Sequence, residues 1–321
     1  MNRWDMTQLE NNGIRVVDLF CGAGIGACGI KMAGFDIVWS VDNDKHAVNT
    51  YNRNIGNHSV CKNIKNIKSD EIPEHDIMVA TPVCKSFSVA GSQRGFEDSK
   101  NGDLTFHFTR LLKECMPKAF LFENVPGMVS PSNINEFLSV VKDIEEYGYK
   151  IKWKIINCYH YGIPQERKRL FLVGIRSDIK KEFCFPNETD KRRTIRYAIE
   201  DIKDNKDIAN NDKVLELGYS SRYKSRNRQR QWDEPSFTIV SEVRHLALYP
   251  EPCNYDIRIE DVSKKTPPRR FTVRECLRLQ TVPDWFKFEE DIPLKKQYER
   301  CSGIPSLMAY KLMLSIKETI E

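Results

Sequence analysis

Short apolar segments separated by small, polar or charged residues recur along the chain and indicate an α/β protein. The pattern predicts strands at residues 14–20, 35–41, 76–80, 119–122, 153–157 and 169–175, with a shorter third segment at residues 62–64. It predicts helices at residues 25–33, 45–52, 103–112 and 307–320. In open α/β sheets, ligands and reactive groups gather beyond the carboxyl ends of the strands, so candidate site residues are sought there.

The composition limits the class of protein. The chain has 321 residues, of which 40% are hydrophobic, enough for one large domain or two smaller ones. It has no apolar run that could span a bilayer and no start resembling a signal peptide, so we expect a soluble cytoplasmic protein. Its ten cysteines are scattered without the spacing of a zinc site, which predicts free thiols and no metal. The net charge of +5 permits nucleic-acid binding without being diagnostic of it.

The first predicted strand runs into a glycine-rich turn at residues 21–26. Gly22 and Gly24 would let the backbone turn tightly and approach a ligand. Asp42 follows the second strand, roughly 20 residues after these glycines, which is the spacing at which a carboxylate binds the hydroxyl pair of a ribose. The combination favours a cofactor that contains a nucleoside. On these residues alone, a dinucleotide such as NAD remains an alternative.

A cysteine lies just past another predicted strand end. Cys84 follows the strand at residues 76–80 after the strand-ending Pro82. By position alone, a reactive thiol and a buried structural thiol are equally good interpretations. The next segment carries a Gln93-Arg94 pair between two glycines, which suits a hinged loop that closes over a site.

An acid and a pair of arginines lie at two further strand ends. Glu123 follows the strand at residues 119–122 in a rigid Asn-Val-Pro turn, where the alternative is an acid that only stabilises the turn. Gln165, Arg167 and Arg169 alternate, so they could project to one side. The alternative for these three is a solvated basic strand edge.

Five of these and later segments, in this order, resemble the motifs of the DNA (cytosine-5) methyltransferases, in particular small bacterial modification enzymes. They are Asp-Leu-Phe-Cys-Gly-Ala-Gly at residues 18–24, Pro-Val-Cys at 82–84, Glu-Asn-Val at 123–125, Gln-x-Arg-x-Arg at 165–169 and Arg-x-x-Thr-x-x-Glu-x-x-Arg-x-Gln at 269–280. Each motif is weak alone, but five in the family's order favour an enzyme that uses S-adenosylmethionine (SAM) over one that uses NAD.

The resemblance implies a domain organisation and a chemistry. Residues 1–179 would form a Rossmann-like SAM-binding catalytic domain with a mixed sheet, 180–290 an inserted target-recognition domain, and 291–321 a segment that returns to the catalytic domain. Cys84 would add to C6 of a cytosine flipped out of the duplex. Glu123 would act as the acid beside N3. The positive charges of Arg167 and Arg169 would stabilise charge on the carbonyl O2 and favour formation of the thiolate.

The resemblance also implies how the cofactor is bound. Phe20 would stack on the adenine and Asp42 would accept the ribose hydroxyls. Asn63 stands where the family usually has Asp, and its carbonyl can accept the same hydrogen bond from the adenine amino group. The residues implied to bind SAM are Asp18, Phe20, Gly22, Gly24, Asp42, Asn43, Asn63, Ile64, Pro82 and Ser302.

A basic run with interleaved aromatic residues, residues 221–232, predicts contact with double-stranded DNA. Its pattern resembles enzymes that read GGCC-like sites, and arginine pairs well with guanine. The residues implied to contact DNA are Ser88, Gln93, Arg94, Arg226, Arg228, Arg230 and Arg244. We expect a monomer, with a cognate restriction endonuclease as a possible separate partner.

Three departures from the family bear on the activity. Val83 replaces a proline, Thr281-Val282-Pro283 replaces Gly-Phe-Pro, and residues 301–305 lack the Asn of a late motif. The last change, beside Arg300, suits either ordinary SAM binding or a SAM variant whose transferred group carries a carboxylate. The motifs are also compatible with a tRNA cytosine-5 methyltransferase and with a catalytically weak DNA-binding relative.

Overall fold

A seven-stranded sheet forms the centre of the part of the chain that the computed structural model describes, residues 3–82, 102–261 and 265–321. The strands are β1 Arg15–Leu19, β2 Asp36–Asp42, β3 Ser59–Cys61, β4 Ile77–Ala80, β5 Ala119–Asn124, β6 Tyr149–Asn157 and β7 Lys168–Arg176. The α-helices of these residues are α1 Ile25–Met32, α2 Lys45–Asn54, α3 Gly102–Cys115, α4 Ile134–Glu146, α5 Ile195–Ile199, α6 Ser221–Lys224, α7 Val273–Leu279, α8 Leu294–Arg300 and α9 Ser306–Ile320.

Most predicted elements are confirmed with shifted ends, but the third segment is wrong. The strand β3 lies at Ser59–Cys61, and the predicted residues 62–64 instead lead into a one-turn 3-10 helix at Ile64–Asn66. The polar Asn63 explains the difference, because its side chain accepts a hydrogen bond from the backbone N–H of Lys65 and so starts the turn. Helix α4 was not predicted, although its buried residues recur at helical spacing.

The sheet is mixed, as the sequence implied. Its order is β3-β2-β1-β4-β5-β7-β6, and the neighbours from β3 to β5 are parallel. Strand β7 is antiparallel to both β5 and β6. The connection from Asn157 to Lys168 is shorter than the crossover that parallel neighbours usually need, which favours the antiparallel pairing of β6 with β7. From β1 the chain continues to β2 on one side, and from β4 to β5 on the other. Their carboxyl ends therefore flank a crevice, the usual place for a ligand in such sheets.

The apolar core extends from the sheet into the second half of the chain. Strands β4 and β5 are buried along their whole length, which explains their continuous apolar sequences. The largest cluster joins Val16 of β1 to Trp232 and Val273. A separate small cluster consists of Tyr223, Leu248, Tyr255 and Ile257. The domain boundaries at residues 180 and 290 stay predictions. In the described ranges, no helix has the length and apolar character needed to cross a membrane.

Helix α9 packs directly against α1, and Gly29 is the point of closest approach. A Cβ atom on Gly29 would lie 1.9 Å from the carbonyl oxygen of Ser306 and 2.8 Å from the backbone nitrogen of Tyr310. These are backbone atoms, which cannot move aside as a flexible side chain can. The Ser306 hydroxyl also donates to the carbonyl of Ile25 at 2.7 Å. The backbones of helices α1 and α9 are therefore in direct contact.

We expect Gly29→Ala to lower the free energy of unfolding by roughly 1–3 kcal/mol, because the added methyl group would push α9 away from α1. Gly26→Ala is the matched control in the same helix, since its Cβ would make only an ordinary contact, 3.6 Å from Cβ of Ile304. Chemical denaturation of both variants measures the difference. Equal stabilities would contradict the close-packing explanation.

Candidate active site

A cavity of about 350 Å³ lies beyond the carboxyl ends of β1, β4 and β5. Cavities of this size are typical of small-molecule sites. The predicted cofactor-binding and catalytic residues that line it are Asp18, Phe20, Gly22, Asp42, Asn43, Asn63, Ile64, Pro82, Glu123, Arg167, Arg169 and Ser302. Of the described residues in this predicted set, only Gly24 does not line the cavity. It precedes α1 with a φ of +93°, and its added Cβ would meet Ile55 at 2.8 Å, so the turn requires glycine. Its contact with the cofactor stays a prediction.

The turn after β1 holds one wall of the cavity. Phe20 has a φ of +58°, a left-handed conformation that residues other than glycine rarely adopt. The hydroxyl of Thr81 donates to the carbonyl of Phe20 at 3.0 Å and fixes this turn against the end of β4. Asp42 accepts from the backbone N–H groups of Gly22, at 3.0 Å, and Asp44, at 2.9 Å, with one oxygen each. Both oxygens retain a lone pair for a ligand hydroxyl.

Asn63 lines the opposite wall with part of its amide already engaged. Its side-chain oxygen accepts from the backbone N–H of Lys65 at 3.0 Å. The predicted hydrogen bond from an adenine amino group would therefore use the second lone pair of this oxygen. The Nδ2 group adds two donors, which an aspartate at this position would lack.

Two acids share the floor of the cavity. Burial, and then the negative charge of Asp42, raise the pKa of Asp18 to about 8. Burial and both carboxylates raise the pKa of the neighbouring Cys21 thiol well above its usual value. Cys21 is consequently a neutral thiol, unsuited to act as a nucleophile. A second consequence is that Asp18 is protonated at neutral pH, and a positively charged ligand would favour its ionised form.

The catalytic wall brings together Glu123 and the two predicted arginines. Antiparallel pairing places Glu123 of β5 opposite Phe171 of β7, so Arg169 is its diagonal neighbour. Oε1 of Glu123 lies 3.1 Å from Nε of Arg169 and 3.6 Å from Nη2 of Arg167. Glu123 is 7% exposed and Arg167 is 3% exposed. One buried acid beside two cations leaves a net positive wall.

A segment of the second half of the chain completes this wall, and sequence reasoning missed its role. Residues 236–241 run beside the start of β7, where Ser236 exchanges backbone hydrogen bonds with residues 164 and 166. Nη1 of Arg167 donates to the carbonyl of Ile239 at 3.1 Å. Ser241 lines the cavity. The sequence indicated a strand-like stretch here, but nothing in its periodicity identified β7 as its neighbour.

The loop after α8, where the family motif is altered, also lines the cavity. Arg300, Ser302 and Gly303 face it. Nη2 of Arg300 forms an ion pair with Oδ2 of Asp44 at 2.5 Å. The charge of Arg300 is therefore already engaged, which argues against its service to a carboxylate on a SAM variant.

Thr281 has a backbone conformation that favours glycine, the residue that the related motif usually has at this position. Its φ is +57°, and the residue is fully buried. A β-branched residue in this conformation is strained. The hydroxyl offsets the strain by donating to the carbonyl of Gln280 at 2.7 Å and accepting from the N–H of Leu307 at 2.9 Å.

Two of the arginines predicted to contact DNA lie near Tyr223, a member of the small cluster described above. Arg226 is exposed. Arg228 is held more firmly, because its Nε donates to the carbonyl of Tyr223 at 3.1 Å and its guanidinium lies 5.1 Å from the ring of that tyrosine.

The other two described arginines of this set are paired with acids. Arg230 bridges Glu166, at 2.7 Å, and Glu234, at 3.0 Å. Arg244 forms a two-pronged ion pair with Glu242, at 2.9 and 3.0 Å, and its side chain is 74% exposed. Arg230 therefore connects the basic run to the segment that precedes β7, whereas Arg244 remains accessible.

The predicted nucleophile and its loop lie outside the described residues. Cys84, Ser88, Gln93 and Arg94 all fall between Pro82 and Gly102, the described residues that flank this gap. Their assignments stay predictions.

Comparison with known proteins identifies the family. A family model described as C-5 cytosine-specific DNA methylase matches residues 14–318. The chain belongs to this family. The methyltransferase is 36% identical over 330 residues to the Type II methyltransferase M.FnuDI of Fusobacterium nucleatum, covering 96% of this chain and 95% of that protein. It is 36% identical over 324 residues to M.MthTI of Methanothermobacter thermautotrophicus, with 95% and 98% covered. A DNA cytosine methyltransferase activity, predicted from the motifs, agrees with these findings.

Solved structures agree on the fold. A methyltransferase of Entamoeba histolytica, EhMeth, superposes with a TM-score of 0.74 at 16% identity, covering 96% of this chain and 99% of that one. The Dnmt2 methyltransferase of S. pombe superposes with a TM-score of 0.67 at 18% identity, with 94% and 97% covered. The methyltransferase thus has the α/β fold and mixed sheet that the sequence implied.

The raised pKa of Asp18 predicts a pH-dependent stability. Between about pH 4 and pH 8 the unfolded chain loses the proton that folded Asp18 keeps, so unfolding becomes easier as pH rises, by at most about 1.4 kcal/mol per pH unit. Asp18→Asn should remove this trend, so that its stability relative to wild type increases from pH 5 to pH 7. Asp36→Asn, at an exposed strand position, controls for the substitution. If the free energies of unfolding of wild type and Asp18→Asn change equally with pH, the raised pKa of Asp18 is contradicted.

Proposed function

We propose that this methyltransferase binds SAM in the cavity and methylates C5 of a cytosine flipped out of duplex DNA, with Cys84 as nucleophile. One observation carries the proposal: a single cavity is lined by the predicted cofactor residues on one wall and by Glu123, Arg167 and Arg169 on the other. Methyl transfer requires the donor and the target base to lie side by side, and a shared cavity provides that arrangement.

The residues present fit SAM. The lone pairs left on Asp42 suit the ribose hydroxyls, and the ring of Phe20 at the cavity wall suits the adenine. An added Cβ at Gly22 would meet nothing within 4 Å, so the backbone is open to a ligand there. The acidic pair Asp18 and Asp42 suits a ligand with cationic ammonium and sulfonium groups, which would favour the ionised form of Asp18. When bound, SAM supplies the electrophilic methyl group.

The protein residues would then act on the cytosine. C5 becomes nucleophilic once the thiolate of Cys84 has added to C6. Glu123 would deliver a proton to N3, where negative charge develops after that addition. Arg167 and Arg169 form the net positive wall that stabilises charge on O2. C5 takes the methyl group, a base then removes the C5 proton, the thiolate leaves C6, and the proton on N3 returns to Glu123, which leaves 5-methylcytosine.

The recognition of DNA would fall to the basic run and its neighbours. Arg226 and Arg244 are exposed, and Arg228 is half-buried against Tyr223. Arginine forks pair with the O6 and N7 acceptors of guanine in the major groove. We therefore propose a G-rich target in duplex DNA, consistent with the resemblance to enzymes that read GGCC-like sites. A competition between tRNA and duplex DNA in a methyl-transfer assay tests the choice of substrate.

Cys84→Ser should abolish methyl transfer while leaving DNA binding intact, since a hydroxyl is a far weaker nucleophile than a thiolate at neutral pH. The measurement is covalent trapping on duplex DNA that contains 5-fluorocytosine, with Cys61→Ser at an exposed cysteine as the matched control. Wild type and Cys61→Ser should form the adduct and Cys84→Ser should not. A stable adduct with Cys84→Ser would exclude this cysteine as the nucleophile.

Arg226→Ala should weaken binding to the preferred duplex by roughly 1–3 kcal/mol, the value of a base-reading arginine, and relax sequence preference. Arg230→Ala is the matched control in the same run, because Glu166 and Glu234 already engage its guanidinium. Fluorescence anisotropy at two salt concentrations separates base readout from phosphate contact. A larger loss for Arg230→Ala than for Arg226→Ala would overturn this division of roles.

A further inference from the structure

Two glutamines outside the predicted site form a continuous hydrogen-bonded chain through the interior. Gln165 and Gln280 are both fully buried. The side-chain oxygen of Gln165 accepts from the backbone N–H of Ile239 at 2.9 Å. Its Nε2 donates to the side-chain oxygen of Gln280 at 3.0 Å. Nε2 of Gln280 in turn donates to the carbonyl of Cys301 at 2.9 Å.

The two ends of this chain reach opposite sides of the active site. Ile239 belongs to the segment 236–241, which follows the basic run and holds Arg167 through its carbonyl. Cys301 begins the loop whose Ser302 and Gly303 line the cavity. The backbone of Gln280 also holds this loop, because its carbonyl accepts from the N–H of Ser306 at 3.0 Å.

The hydrogen bonds of this chain allow each glutamine amide only one orientation. Gln165 must present its oxygen to an N–H and its Nε2 to the oxygen of Gln280, and Gln280 must do likewise toward the loop. A buried amide that loses one partner is left with an unsatisfied polar group, which is costly. A displacement at either end is therefore opposed by every hydrogen bond between Ile239 and Cys301, since both glutamines are fully buried.

We propose that Gln165 and Gln280 are positioning residues that couple DNA recognition to cofactor binding. When DNA fixes the segment 236–241, the chain fixes the cavity loop at residues 301–303, and a bound cofactor acts in the reverse direction. The inference rests on the proposed function, because it requires the cavity to bind SAM or its product. Neither glutamine needs to touch either ligand.

The test measures the affinity for S-adenosylhomocysteine with and without a duplex that carries the methylated site, as mapped by bisulfite sequencing. The ratio of the two dissociation constants is the coupling factor, and linkage requires the same factor for DNA with and without S-adenosylhomocysteine. In wild type we expect a factor of about 5 to 150. Gln165→Met and Gln280→Met keep the length of the side chain but break the chain, and should bring the factor close to 1.

Gln297→Met is the matched control. Gln297 is also buried, donates to the carbonyl of Ile292 at 2.8 Å and accepts from Nδ2 of Asn210 at 3.3 Å, but it lies outside the hydrogen-bonded chain and outside the basic run. It should keep the wild-type factor. The double variant Gln165→Met/Gln280→Met should lose no more coupling than either single variant, because one break interrupts the chain. A wild-type factor of 1, retained coupling in either single variant, or additive losses would each overturn the proposal.

Hydrogen exchange on the wild-type protein tests the same coupling without any variant. S-adenosylhomocysteine alone should slow exchange at the N–H of Ile239, and DNA alone should slow it at the N–H of Ser306. Unchanged exchange at both amides would overturn the proposal. Failure of the proposed function looks different: the wild-type protein would neither bind S-adenosylhomocysteine nor transfer a methyl group.

Discussion

The burial of Glu123 against Arg167 and Arg169 is the constraint on which the rest of the site depends. Taking a carboxylate out of water is expensive, and an opposite charge repays the cost only when it is held at short distance. The antiparallel placement of β7 beside β5 provides that distance. The carbonyl of Ile239 then gives Arg167 a second fixed partner. The position of Glu123 relative to the two arginines therefore depends both on the order of the strands and on the path of residues 236–241.

The sequence predicted the parts of the site that lie at strand ends, because chain direction and apolar runs determine where strands end. Asp18, Asp42, Glu123 and Arg169 all come to one cavity as expected. Periodicity did not predict the partners of these residues. The contact between Arg167 and Ile239 joins positions 72 residues apart, and nothing local specifies it.

The errors have local physical causes. The third strand was misplaced because Asn63 starts a turn through its side chain, a bond that an apolar pattern does not register. The expected contact of Gly24 with the cofactor stays a prediction, and its conformation and the nearby Ile55 show in addition that the turn requires glycine. Thr281 shows the converse: a position suited to glycine is filled by a residue whose hydroxyl bonds compensate for strain.

The close packing of α1 and α9 has a consequence for how the protein is made. Helix α1 ends at Met32 and α9 begins at Ser306, so during translation α1 is finished long before α9 exists. Until then, the face of α1 around Gly29 lacks its neighbour, and its apolar residues are exposed to other nascent chains. Closure also requires contacts between distant parts of the sequence, which form slowly. The packing of α1 in this methyltransferase therefore cannot be completed in the order in which the chain is synthesised.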